Sequence, residues 1–173
     1  MDDVLTIDDL DFVDQSFTIS AWVQRNGSGE EYLVSQGTAV TNQGLSIGFN
    51  SSDQFTCSFW GNSLTTSSSY TETDWHHWSC AYDASEGTRT IYRDGVQVAQ
   101  DTSASNYQGS GPLAIGWLAP NNSSTYFAGT IDELVIHDRA LTAAEAAKVR
   151  DGIYSLNDLY VLPADTLNLS LIH

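Results

Sequence analysis

The sequence predicts an all-β chain, a sandwich or a barrel, and three observations carry that expectation. Apolar and polar residues alternate with period two in one segment after another. Turn residues separate these segments at short, regular spacing. The composition is 41% hydrophobic and only 16% charged over 173 residues. Uncharged Ser, Thr, Asn, Gln and Gly fill the difference. That balance suits half-buried strands and polar turns better than amphipathic helices, whose outer faces need Lys and Glu. The length is that of one domain, large enough to bury a core without help from cross-links.

The strands follow in order. Phe17, Ile19, Ala21 and Val23 share one face of the first clear segment. Leu45–Phe49 and Phe55–Phe59 alternate in the same way, as do Trp78–Tyr82 and Thr88–Tyr92. Asp94-Gly95 closes the last of these as a tight hairpin, since Gly accepts positive φ. Leu113–Gly116 and Gly129–Ile136 complete the set. The expected core is Phe17, Ile19, Trp22, Ile47, Phe55, Phe59, Trp78, Tyr82, Ile115, Ile131 and Leu134, with Trp22 breaking the alternation of its strand. Residues 65–70 and 121–126 read as polar surface loops. No repeat at a fixed period is present.

One short helix is expected near 142–150. Thr142-Ala143-Ala144-Glu145 reads as a capping box, in which hydroxyl and carboxylate each satisfy an orphan amide. Lys148 and Arg150 suit the helix C-terminus, and Gly152 ends it. Residues 1–152 thus form the domain. Residues 153–173 form an apolar C-terminal segment that either pairs with Val4–Ile7 or docks a partner, a second copy included.

The formal net charge is -16, from six basic and 22 acidic residues. Nucleic acid and anionic membrane surfaces would be repelled. The acidity serves solubility, or else divalent-cation binding. No apolar run reaches transmembrane length, so no membrane insertion is expected. Met1 is followed by Asp2 and Asp3, so no signal peptide is read at the start. The chain is expected to be a piece of a secreted protein, or to leave the cytoplasm by another route.

Several segments resemble a known family. Phe17–Val23 is similar to the early strand of laminin-G-like jelly-roll domains, within the concanavalin A-like lectin/glucanase superfamily. Trp75-His76-His77-Trp78 with Tyr82-Asp83 resembles their "WHH…YD" segment, and Tyr92-Arg93-Asp94-Gly95 their "Y-x-D-G" hairpin. Phe127–Thr142 is similar to their closing signature. The resemblance covers about residues 15–152 and implies a two-sheet antiparallel jelly-roll sandwich. It also implies an accessory recognition module, non-catalytic, that binds a glycan or a protein on an extracellular or particle surface. A structural or decoration component of a larger assembly, such as a virion or phage particle, is the alternative. Function in such folds sits in grafted loops.

The resemblance further implies one structural calcium ion, held by Asp132 with an oxygen from Asp9, Asp11 or Asp14. At the family's rim calcium site this chain has Asn42, Asn121 and Asn122 where carboxylates would stand. Asp132 and Glu133 are adjacent in a strand, so opposite faces are expected for them, and likewise for His76 and His77.

No catalytic pattern is present. Retaining glycosidases need two carboxylates about 5 Å apart. Glu72-Thr73-Asp74 is the nearest approach, and it reads as a turn. No nucleophile elbow, zinc motif or phosphate loop occurs. The aromatic candidates for stacking on a sugar are Trp60, Trp117 and Tyr126, beside Asn121 and Asn122. Cys57 lies on the apolar face with Phe55 and Phe59, and Cys80 with Trp78 and Tyr82. Read as neighbours in one sheet, the two strands permit a disulfide; two buried free thiols are the alternative. Pentraxins, which share the superfold, carry a disulfide whose second cysteine matches Cys80, but whose first would fall at Ser20.

Overall fold

The computed structural model describes residues 5–153 except 9, 104 and 121–124. Among them lie eleven strands and one helix. The strands are β1 (Leu5–Ile7), β2 (Phe17–Arg25), β3 (Glu31–Gly37), β4 (Gly44–Phe49), β5 (Gln54–Ser58), β6 (Ser63–Ser69), β7 (Trp75–Asp83), β8 (Thr88–Arg93), β9 (Val96–Thr102), β10 (Leu113–Ile115) and β11 (Gly129–His137). The helix is α1 (Ala143–Arg150). Every strand pair is antiparallel. A six-stranded sheet runs β1-β10-β3-β4-β5-β6, and a five-stranded sheet runs β11-β2-β7-β8-β9. The chain is an all-β jelly-roll sandwich, as the sequence predicts.

Alternation explains the core. On β4, Leu45, Ile47 and Phe49 face inward; on β7, Trp78, Cys80 and Tyr82 face them. Phe55 stacks on Trp78 at 4.2 Å between centroids and 7° between planes, and Phe49 meets Trp78 edge-on. Phe17, Phe59 and Tyr82 form a second aromatic cluster. Two buried arginines close the ends of this layer. Arg25 meets Glu31 at 2.6 Å and lies over the Phe49 ring. Arg89 meets Asp101 at 2.6 Å and lies over Phe59.

Cys57 and Cys80 are joined by a disulfide, with Cα atoms 6.1 Å apart. Its geometry corrects the expected strand neighbourhood. β5 and β7 belong to different sheets, so the bond crosses the sandwich. Residues 61–75 do not make a hairpin but carry β6 and then pass to the other layer.

Other expectations are corrected as well. Residues 65–69 belong to the edge strand β6, whose Ser and Thr side chains had the composition of a loop. Trp22, Ile131 and Leu134 are only half-buried. Trp22 stands on the outer face of its sheet, and β11 is an edge strand interrupted by a bulge between Asp132 and Val135. That bulge, with Glu133 at φ 49°, leaves both Asp132 and Glu133 exposed instead of opposed. β1 pairs with β10. The proposed partner strand at 167–171, and with it the docking role of the segment after residue 153, lies outside the described residues.

The C-terminal part covers the outer face of the five-stranded sheet. Leu141 N–H donates to Thr18 Oγ1, and Tyr92 OH donates to the Leu141 carbonyl. Ala81, Tyr92 and Ala146 form a small apolar cluster under α1. The capping box forms, with Thr142 N–H donating to Glu145 Oε2 at 2.8 Å. A Cβ on Gly95 would lie 2.7 Å from Ala147, so the positive-φ Asp94-Gly95 turn lets the helix sit down on the hairpin.

Two expected outcomes follow. Replacing both cysteines by alanine lowers unfolding free energy by about 3 kcal/mol in urea titration, from loop-closure entropy; an unchanged midpoint contradicts the clamp. The second concerns His77, buried beside Trp22 with its Nδ1 lacking a partner. Burial pushes its pKa down to about 4, against the opposing pull of Asp94. The unfolded imidazole titrates near 6.5, so stability is full above that pH and is lost as pH falls through 4. The wild type should therefore lose up to about 3 kcal/mol more than His77→Phe between pH 7 and pH 4. Parallel pH profiles for the two proteins contradict this.

Candidate functional site

The outer face of the six-stranded sheet carries the candidate site. Because Leu45, Ile47 and Phe49 point inward, Gly44, Ser46 and Gly48 point outward. A bulge between Tyr32 and Val34 places Leu33 and Val34 together in the core and leaves Tyr32 and Ser35 outward. The register then lines up Ala114, Ser35, Ser46, Ser58 and Ser63 in one row across five strands. A second row is Tyr32, Gly48, Thr56 and Thr65. The first four residues of the Ser row are buried although they face away from the core. Together with the more open Ser63 and Thr65 they make a strip of small, mostly hydroxyl-bearing positions, referred to below as the groove.

Three loops rise around this strip at one end. The segment after β10 turns back on itself: Trp117 bridges Tyr126, and Phe127 N–H donates to the Gly116 carbonyl. Ser35 Oγ donates to the Trp117 carbonyl and accepts from Ala119 N–H, both at 2.8 Å, which holds this turn over the sheet. Ala39 N–H donates to the Pro120 carbonyl, so the β3–β4 loop meets it. Trp60, at φ 50° in the β5–β6 turn, donates its N–H to Ser58 Oγ. Asn42 N–H donates to the Trp60 carbonyl. An ideal Cβ on Gly44 would lie 3.1 Å from Trp60 Cβ and 3.4 Å from Pro120 Cβ. Trp60 and Pro120 therefore close on the same patch of sheet.

The Trp117 and Tyr126 rings lie near parallel, 19° between planes with centroids 6.5 Å apart. Tyr126 is 37% exposed, and Trp60 and Trp117 are half-buried. The Trp117 Nε1–H is enclosed and has no acceptor among the described residues. The structure thus brings Trp60, Trp117 and Tyr126 to one end of one face. Asn121 and Asn122 lie outside the described residues. The hydroxyl strip and Tyr32 were not identified from sequence, although the small residues alternating with Leu45, Ile47 and Phe49 carried the signal.

The metal candidates do not converge. Asp11 sits in the turn before β2, where its Oδ1 accepts from Val13 N–H. Asp132 is exposed on β11 and accepts from Glu133 N–H. Asn42 is engaged by Asn62 Nδ2 at 2.8 Å. Among the described residues no three His, Cys, Asp or Glu side chains come together to hold a metal ion. Asp9 lies outside the described residues.

His76 is enclosed by its own partners. Its Nδ1 meets Asp94 Oδ2 at 2.8 Å and its Nε2 accepts from Arg93, which also pairs with Glu72. Neither ring nitrogen is open to a substrate. The adjoining space, between Arg25, Tyr70 and Trp78, holds about 10 Å3, less than an organic ligand needs. The cluster ties the β8–β9 turn to β7.

The sequence profile of the concanavalin A-like lectin/glucanases superfamily matches residues 1–147. No curated protein sequence matches. Solved structures do. Domain 4 of a GH43 extracellular arabinanase from Geobacillus stearothermophilus, in complex with arabinotriose, is 20% identical, with TM-score 0.63 over 83% of this chain and 69% of that one. The CBM40 of a Ruminococcus gnavus sialidase bound to α2,3-sialyllactose is 11% identical, with TM-score 0.65 over 79% and 82%. A native heptameric SAP-like pentraxin from Limulus polyphemus is 15% identical, with TM-score 0.60 over 79% and 70%. These likenesses establish the fold. No described helix is long and apolar enough to cross a membrane.

Gly44 is the point on which the groove's rim closes. A Cβ there would also lie 2.5 Å from the Thr38 carbonyl oxygen. Gly44→Ala should cost about 1–3 kcal/mol in chemical denaturation, the usual penalty of overpacking. A variant as stable as the wild type would show that the rim is not held this closely.

Proposed function

The chain belongs to the concanavalin A-like lectin/glucanases superfamily, and from that membership and the groove's chemistry we propose that it is a non-catalytic module that binds glycans. The observation that carries this is the placement of near-parallel Trp117 and Tyr126 rings beside a strip of Ser hydroxyls on one sheet face. A sugar ring presents apolar C–H faces and a rim of hydroxyls. Aromatic faces meet the first, and the exposed Ser63 and half-buried Thr65 hydroxyls, donors and acceptors both, meet the second. The structural neighbours bound to arabinotriose and sialyllactose support the same reading. An extracellular or surface location is part of the proposal, and the disulfide fits an oxidising compartment.

Calorimetric titration against a panel of soluble oligosaccharides tests this. Trp117→Ala and Tyr126→Ala should each weaken binding about tenfold or more, equivalent to about 1.4 kcal/mol. Trp75→Ala, on the outer face of the other sheet, should leave affinity unchanged, and thermal denaturation should confirm that all three variants fold. Loss of binding in Trp75→Ala alone would place the site elsewhere.

A further inference from the structure

We propose that the groove takes glycans bearing no negative charge and rejects sialylated, uronate-containing or sulfated ones. The inference rests on the glycan reading above and concerns its ligand class.

It starts from where the cations are. The chain has six Lys and Arg side chains, and all six are described: Arg25, Arg89, Arg93, Lys148, Arg139 and Arg150. Every arginine already faces a carboxylate. Arg25 pairs with Glu31 and Asp53, Arg89 with Asp101, Arg93 with Glu72, Arg139 with Glu145, and Arg150 with Asp151. The side chains of Arg25 and Arg89 are 3% and 1% exposed, and their guanidinium groups donate further to the Tyr70, Gly29 and Asn62 carbonyls. Drawing Arg25 out would leave the buried Glu31 carboxylate unpaired, and drawing Arg89 out would break its bonds to the Asp101 carboxylate and the Asn62 carbonyl. Lys148 stands on α1, which covers the outer face of the five-stranded sheet, across the whole sandwich from the groove.

A carboxylate or sulfate entering the groove would therefore meet no cation, only neutral groups such as the Ser63 and Thr65 hydroxyls. Charged oxygens lose far more hydration than hydroxyls do, and a charge-assisted partner normally offsets that loss. None is within the groove. The surrounding field works the same way. With a formal net charge of -16 and its arginines neutralised internally, the chain presents an anionic exterior that repels anions before they arrive. An uncharged saccharide is indifferent to that field and loses nothing by it.

The test uses the full chain on an array printed in pairs, each neutral oligosaccharide core beside the same core capped with one sialic acid or one sulfate. Binding is read at low ionic strength and again at about 0.5 M salt. The expected result is binding confined to neutral cores. Capping should cost at least about tenfold at low salt, and the gap should narrow as salt screens the field. A capped glycan bound more tightly than its own neutral core overturns the proposal while leaving the glycan reading intact. Binding to no glycan on the array overturns both.

Discussion

The six-stranded sheet can carry a groove on its outer face because its inner face is fixed to the other sheet at the centre. There Cys57 is bonded to Cys80 and Phe55 lies flat on Trp78. Both contacts join β5 to β7, and both cross the sandwich. The alternation of β4 and β5 then leaves little freedom outside. Large residues are committed inward, and outward positions between them are Gly, Ser and Thr. Small outward residues let the loops carrying Trp60 and Trp117 settle onto that face. The clamp and the groove are two faces of the same alternation.

The charge distribution follows a different logic with a bearing on the same site. The sandwich consumes its arginines as internal struts. Arg25 and Arg89 each combine a carboxylate, backbone carbonyls and an aromatic face within a nearly dry layer edge. Arg93 does the same more openly, between Glu72, His76 and the Tyr70 ring. Such groups are costly to bury unpaired, so their partners are obligatory. The remaining carboxylates outnumber these pairs and face water. The exterior that results is strongly acidic.

The sequence made the fold legible and the site only half so. Strands such as Phe17–Val23 and Leu45–Phe49 announce themselves because one face is buried and the other is not. β3 does not: a bulge at Leu33 breaks its period, Glu31 and Gln36 are buried, and Gln36 finds its partners far away in sequence, at Leu10 and Gly111. β6 and β9 are edge strands, where polar composition resembles loop. The adjacency of Asp132 and Glu133 misled for the same reason, since a bulge cancels the two-residue rule. Trp60, Trp117 and Tyr126 were recognisable as residue types suited to sugars. Their convergence was not, because it depends on the Ser35 hydroxyl holding the Trp117–Ala119 turn and on the space left at Gly44. The disulfide was foreseeable from two inward cysteines, but its crossing of the sandwich required the path of β6.

The central claim is that ligand is received on the outer face of the six-stranded sheet. The five tryptophans report on it separately, because their indole N–H groups are distributed over both layers. Trp60 and Trp117 stand at the groove, Trp78 lies in the core, and Trp22 and Trp75 belong to the five-stranded sheet. In a two-dimensional nitrogen–proton spectrum titrated with a bound neutral oligosaccharide, the Trp117 and Trp60 indole signals should move while those of Trp22, Trp75 and Trp78 stay. Movement confined to Trp22 and Trp75 would contradict the account and transfer the site to the opposite face.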